Sequence, residues 1–158
     1  MRPTAVVQVE FESPAESVFD AWIQPECIAR WMFGIAIRDE IVLHIRANPV
    51  PGGLFSFLVD RQGVQIDHVG RYLIVDRPLK LQFTWAIGEI SPNDSIVRLE
   101  IESTKSGSRL QLEHEMPIEW AGFIERSRDA WRKMLVVLKQ DLEMSGKSNV
   151  LIEKDQDN

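Results

Sequence analysis

Both ends of the chain carry helical patterns, and almost everything between them alternates with the period of a β-strand. That arrangement restricts the fold more than any other feature. Val7, Val9 and Phe11 alternate with Val6, Gln8 and Glu10, which predicts a half-buried first strand. Ser13-Pro14-Ala15-Glu16 follows, with serine placed to cap a helix, proline at its first position and glutamate three residues after the cap. A short helix is therefore expected to about Trp22, a second one restarting at Pro25, with Ile28 and Trp31 three apart and Gly34 placed to end it.

Six further strands are predicted over 41–46, 54–59, 64–75, 80–87, 96–102 and 109–115. Short turns join most of them: Asp60-Arg-Gln-Gly63, Asp76-Arg-Pro78, Ser91-Pro-Asn-Asp94 and Lys105-Ser-Gly107. Asn48-Pro-Val-Pro-Gly-Gly53 forbids regular structure. Short connections require an antiparallel meander. A long helix is then expected from about Trp120 to Met144, with Ile124, Trp131, Met134, Leu135, Leu138 and Leu142 on one apolar stripe. The expectation is an α+β domain over 1–144: a curved antiparallel sheet of six to seven strands wrapped around a long C-terminal helix, with two short helices after the first strand. Residues 145–158 read as a polar, disordered tail.

A helix is roughly 10 Å across, narrower than such a sheet. The rest of the concave face must be filled by large side chains, by the short helices or by a guest. The inward positions are rich in aromatics: Trp22, Trp31, Phe55, Phe57, Tyr72, Phe83, Trp85 and Trp131. Core packing is the ordinary use of such residues. Lining an apolar cavity is the other.

Other classes are excluded more simply. The formal net charge of −6 argues against nucleic acid or an anionic membrane surface as partner. Cys27 is the only cysteine of 158 residues, which rules out an intrachain disulfide and fits a reducing, cytoplasmic setting. No stretch is apolar for long enough to serve as a signal sequence or membrane span. His44, His68 and His114 have no second histidine at helical or strand spacing, so no metal motif forms and no cofactor is expected. By alternation His114 shares the side of Leu110 and Leu112, while His68, Gly70 and Tyr72 share another, with the glycine expected to open space between its neighbours. Each of these polar residues either satisfies a structural hydrogen bond or acts on a bound molecule. No nucleophile elbow or phosphate loop is present.

Several blocks together resemble a known family. They are Phe11-x-x-Pro14-x-x-x-Val18-Phe-Asp-Ala-Trp22 with Pro25 and Trp31, then Gly52-Gly53-x-Phe55, Gly63 and Gly70-x-Tyr72. Pro78-x-x-Leu81-x-Phe-Thr-Trp85, Leu110-x-Leu-x-His114 and the Trp131 helix complete them. The chain resembles the START-like superfamily of helix-grip ligand-binding proteins, in the branch related to the C-terminal domain of the activator of the heat-shock protein ninety ATPase. It departs in lacking an Asp-x-Arg just before the double glycine, where Leu43-His44-Ile45-Arg46 stands farther away, and in having Ala130-Trp131 in place of Gly-Trp.

The resemblance implies a helix-grip fold holding a lipid-like, aromatic or polyketide-like molecule between sheet and C-terminal helix. The expected contacts are Trp22, Trp31, Phe55, Phe57, Tyr72, Phe83, Trp85, His114, Trp131 and Leu135. Two alternatives stay open. One is a cyclase- or hydrolase-type enzyme using His114, His68 or Tyr72, and the other is an interaction protein engaging a chaperone or a second copy of itself.

Overall fold

The structure, a computed structural model, describes residues 2–156, with side chains as far as Ser145. Seven antiparallel strands form one sheet: β1 (Thr4–Phe11), β2 (Ile41–Ala47), β3 (Leu54–Arg61), β4 (Val64–Asp76), β5 (Lys80–Ile87), β6 (Ser95–Ser103) and β7 (Ser108–Glu115). Their spatial order is β1-β7-β6-β5-β4-β3-β2. The meander runs from β2 to β7, and β1 closes against β7 in a register pairing Val7 with Leu112 and Phe11 with Ser108. Between β1 and β2 lie α1 (Ala15–Asp20) and α2 (Pro25–Trp31). A 3-10 turn over Ile118–Phe123 leads into α3, Ile124–Gln156. Among the described residues no helix is long and apolar enough to cross a membrane.

The expected architecture is present, with two local differences. Pro14 occupies the cap position of α1 and no side chain caps it; the Ser13 backbone carbonyl accepts the Ser108 hydroxyl at 2.8 Å. The capping box is thus not made. Its serine belongs to a junction with β7. The C-terminal helix begins at Ile124 and not Trp120, since Pro117 starts a tighter turn first. The tail expected over 145–158 falls where the backbone of α3 is carried to Gln156, while Asp157, Asn158 and the side chains beyond Ser145 lie outside the described residues.

The concave face divides into two halves. Strands β1, β6 and β7 contribute aliphatics, among them Val7, Val97, Leu99, Leu110 and Leu112, all buried. Strands β3 to β5 contribute Phe55, Phe57, Tyr72 and Phe83. α3 runs along β1 and against α2, α1 sits over β6 and β7, and α2 lies beside β2. From α3 the residues Trp131, Met134, Leu135 and Leu138 point inward. The helix is too narrow to cover both halves, and Trp22, Trp31, Met32 and Phe33 from the short helices and their ends occupy the remainder.

The segment after α2 is clamped from below. Glu40, its carboxylate fully buried, accepts two bonds from Arg61 on β3 at 2.9 and 3.1 Å and one from the Gly34 amide at 2.9 Å. Burial alone pushes this carboxyl up, but the Gly34 amide, Arg61 and Arg38 outweigh it and hold it below its usual value. Glu40→Gln is expected to cost about 2 kcal/mol in urea unfolding, because a buried charge-assisted pair loses its anion. A cost under about 0.5 kcal/mol would show that the clamp carries no weight.

Candidate functional site

The aromatic half of the sheet and the short helices build one continuous lattice. Trp22 meets Trp31 edge-on with ring centroids 4.6 Å apart, and lies 5.8 Å from Trp131 and 6.3 Å from Phe83. Phe55 stacks on Phe57 at 4.6 Å and crosses Phe83 at a right angle, 5.6 Å away. Trp85 links this group to Trp131 at 5.9 Å, and Phe33 closes the far end against Phe57 and His68. Such tilted and edge-to-face contacts each add about 1 kcal/mol beyond simple burial.

A void of about 10 Å³ remains, lined by Trp22, Met32, Phe55, Phe57, Tyr72 and Phe83. That is room for no more than one water molecule. The wide cavity expected from helix width is therefore mostly occupied, since the short helices send their own tryptophans, Met32 and Phe33 into it. Gly70 likewise opens no space: the Phe55 ring covers it across the β3–β4 pair.

Five of the ten anticipated contacts, Trp22, Phe55, Phe57, Tyr72 and Phe83, converge on the void. Trp31 lies behind Trp22, its indole donating to the Ala21 carbonyl at 2.9 Å. Leu135 is fully buried on α3 and does not line the void; Trp85, Trp131 and His114 form its neighbouring wall. Met32 and Phe33 were not anticipated. They follow the end of α2, where the apolar run Trp31-Met-Phe33 before Gly34 was the available signal.

One polar group here has no partner. The Trp22 indole nitrogen is buried and makes no hydrogen bond. An indole can only donate, so nothing in the lattice of rings satisfies it. Leaving such a donor bare costs about 1–3 kcal/mol. Tyr72 also lines this void, and burial pushes its pKa up, so it stays a neutral phenol.

The histidines are placed differently. Trp131 donates its indole N–H to His114 Nδ1 at 3.0 Å, which forces the ring proton onto Nε2. His114 Nε2–H then donates to Ser95 Oγ at 2.9 Å, and Ser95 donates to the Trp85 carbonyl at 2.9 Å. Both ring nitrogens are spent. Burial lowers the His114 pKa to about 4. Ser95 completes this chain from a turn-flanking position that alternation did not single out. His68 is also buried, which lowers its pKa, while its bond from Nδ1 to the Phe57 carbonyl at 3.0 Å acts the other way. His44 lies on the opposite, convex face, bonded to Ser56 Oγ at 2.9 Å. Among the described residues no group of three or more His, Cys, Asp or Glu is arranged to hold a metal.

Solved structures share this architecture. A protein of Rhodobacter sphaeroides superposes with a TM-score of 0.79 at 16% identity, covering 90% of this chain and 93% of its own. One from Nitrosomonas europaea gives 0.78 at 18%, covering 90% and 96%. An AHSA1-like protein of Aeromonas hydrophila gives 0.75 at 23%, covering 90% and 94%. These likenesses establish the fold. No curated relative matches the sequence. The fold and family support a ligand-binding domain in general terms. A family model described as Activator of Hsp90 ATPase homolog 1-like protein matches residues 12–143, nearly the whole domain, and the chain belongs to that family.

Proposed function

We propose that the protein binds a small apolar molecule carrying one hydrogen-bond acceptor, held in the aromatic lattice between the sheet and the helices. The observation that carries this reading is the bare N–H of Trp22, a residue that lines a small void walled by Phe55, Phe57, Tyr72, Phe83 and Met32. A guest with a carbonyl or ether oxygen supplies the missing acceptor, and its hydrocarbon body replaces ring–ring contact with ring–guest contact.

Admission of a guest requires the void to grow. The walls differ in their freedom to move. Phe55, Phe57, Tyr72 and Phe83 stand on central strands, whereas Trp22 and Met32 come from the ends of short helices. Met32 has an adaptable unbranched side chain. Displacement of the α1–α2 region is therefore the route by which the space opens. The single cysteine makes a reducing cytoplasm the matching compartment.

The test compares 2-acetylnaphthalene with 2-ethylnaphthalene, which match in shape but differ in an acceptor. Saturable binding of the ketone, with a downfield shift of the Trp22 indole proton, is the expected result. Trp22→Phe is expected to erase a preference of roughly tenfold for the ketone, the worth of one buried hydrogen bond. Absence of saturable binding by either compound ends the proposal.

A second reading, docking to a chaperone or a second copy, is favoured by one observation. Trp120 and Phe123, 5.2 Å apart, remain 53% and 41% exposed beside Ile118 at 70%. Acid–base catalysis by His114 is disfavoured, because its nitrogens are committed to Trp131 and Ser95.

A further inference from the structure

A wide concavity lies on the other side of the sheet, over β2 to β4. Arg46, Leu54, Ser56, Val69 and the β5–β6 loop residues Gly88 to Ile90 line an open groove of about 560 Å³ on the convex face. That volume lies within the ordinary range for small-molecule sites, about 300–1,000 Å³. The groove has a floor and one raised wall. Ser56 sits between Arg46 and Val69 across three adjacent strands. The β5–β6 loop is pinned over β4 by the Gly88 amide, which donates to the Asp67 carbonyl at 2.9 Å, and it brings Ile90 alongside.

The chemistry of the lining is sharply divided. Leu54, Val69 and Ile90 are apolar, and Leu54 and Ile90 are 50% and 38% exposed despite lying on an otherwise soluble surface. At one end stands Arg46, which among the described residues makes no ion pair and no side-chain hydrogen bond; the other arginines of the sheet, Arg61, Arg71, Arg98 and Arg109, each have one. An unpaired guanidinium beside an apolar trough presents five donors in a plane suited to a carboxylate.

The floor hydroxyl is held in one orientation. Ser56 Oγ donates to Asp67 Oδ1 at 2.7 Å, so its contact with His44 Nε2 at 2.9 Å is one in which the imidazole N–H donates. With its proton committed to Asp67, the hydroxyl offers a guest only an acceptor lone pair. It is thus a positioned polar floor and not an activated nucleophile, for no base faces its proton other than a carboxylate. Glu89 at the rim opposes the entry of a multiply charged anion.

We infer that this convex groove is a second binding site, for a small monocarboxylate with an apolar tail: the carboxylate on Arg46, the tail along Leu54, Val69 and Ile90. The groove and the aromatic lattice lie on opposite sides of the sheet, with Phe55 of β3 bordering both.

The experiment is a titration of the whole protein with octanoate, followed by amide chemical shifts, with 1-octanol as the uncharged comparison. The expected result is saturable movement of the Ser56, Val69, Gly88 and Ile90 amides, weaker binding of octanol, and a roughly tenfold loss of octanoate affinity in Arg46→Ala. Leu54→Ser, at another exposed position, is expected to weaken octanoate and octanol alike. Trp22→Phe is expected to leave the groove response unchanged. Octanoate shifts confined to the Trp22 and Trp131 indoles would overturn the inference while leaving the interior reading intact. Groove shifts that survive Arg46→Ala undiminished would also overturn it.

Discussion

Replacing Gly70 by alanine is expected to destabilise the protein by about 3 kcal/mol or more, enough to lower the melting temperature of a domain of this size by roughly 10 °C. A Cβ at this position would sit inside the van der Waals shell of the Thr84 carbonyl on β5 and of the Phe55 ring on β3. Neither neighbour yields easily. The carbonyl belongs to a central strand, and the Phe55 ring is wedged between Phe57, Tyr72, Phe83 and Trp85. The aromatic ring lying over a strand glycine replaces the packing that the glycine itself lacks. Urea denaturation of Gly70→Ala checks the prediction; a loss below about 1 kcal/mol would mean that the lattice gives way to admit a methyl group. Adding Phe55→Leu should return only part of the loss, because the backbone clash with Thr84 persists.

Acidification is expected to have the next largest effect. The His114 pKa falls from 6.5 to about 4 through burial, so between those values the unfolded chain holds a proton that the native protein excludes. Stability then rises with pH across that window, and it is lost as the pH drops from about 6.5 towards 4. The full effect is about 3 kcal/mol for this one ring, from the 1.36 kcal/mol that each pKa unit represents. His68, lowered chiefly by burial, acts in the same direction. The structural cause is visible at Nδ1: a proton placed there faces the Trp131 N–H, donor against donor, and the chain to Ser95 and the Trp85 carbonyl loses its anchor.

Two measurements test this. Denaturation at pH 7 and pH 4.5 gives the loss of stability, and a nitrogen-15 titration of the imidazoles identifies the ring responsible. The neutral Nε2–H form of His114 should persist below pH 5. An imidazole at position 114 that titrates near 6.5 would sink the prediction. The Glu40 carboxyl, held low by the Gly34 amide and the arginines, begins its own loss as the pH falls through its ordinary value of 4.5 and continues below it, so most of it follows the loss from His114.

The strands were legible because period-two alternation is a local property that survives into the folded state. Leu81, Phe83 and Trp85 on β5, or Leu110, Leu112 and His114 on β7, point inward as their spacing requires. The short helices were legible in place but not in detail. The cap of α1 falls on Pro14, and the Ser13 backbone carbonyl accepts the Ser108 hydroxyl from β7, a long-range contact that no local pattern announces. The inward set of aromatics was legible too. Whether those rings enclose a chamber was not, because the answer depends on Trp22, Trp31, Met32 and Phe33 arriving from another part of the chain.

The convex groove shows the same division. Arg46, Ser56, Val69 and the loop at Gly88 to Ile90 lie on four different segments, and nothing in their spacing brings them together; the meander and its register do. Local patterns of polarity and turn residues determined that the chain would build an antiparallel sheet of six to seven strands wrapped around a C-terminal helix, since each depends on neighbours a few positions away. The tertiary structure alone decided how the volume between sheet and helix is shared, which donor is left without an acceptor, and where the outer face is hollow. Those outcomes depend on contacts between residues far apart in sequence, where shape and distance act and periodicity carries no information.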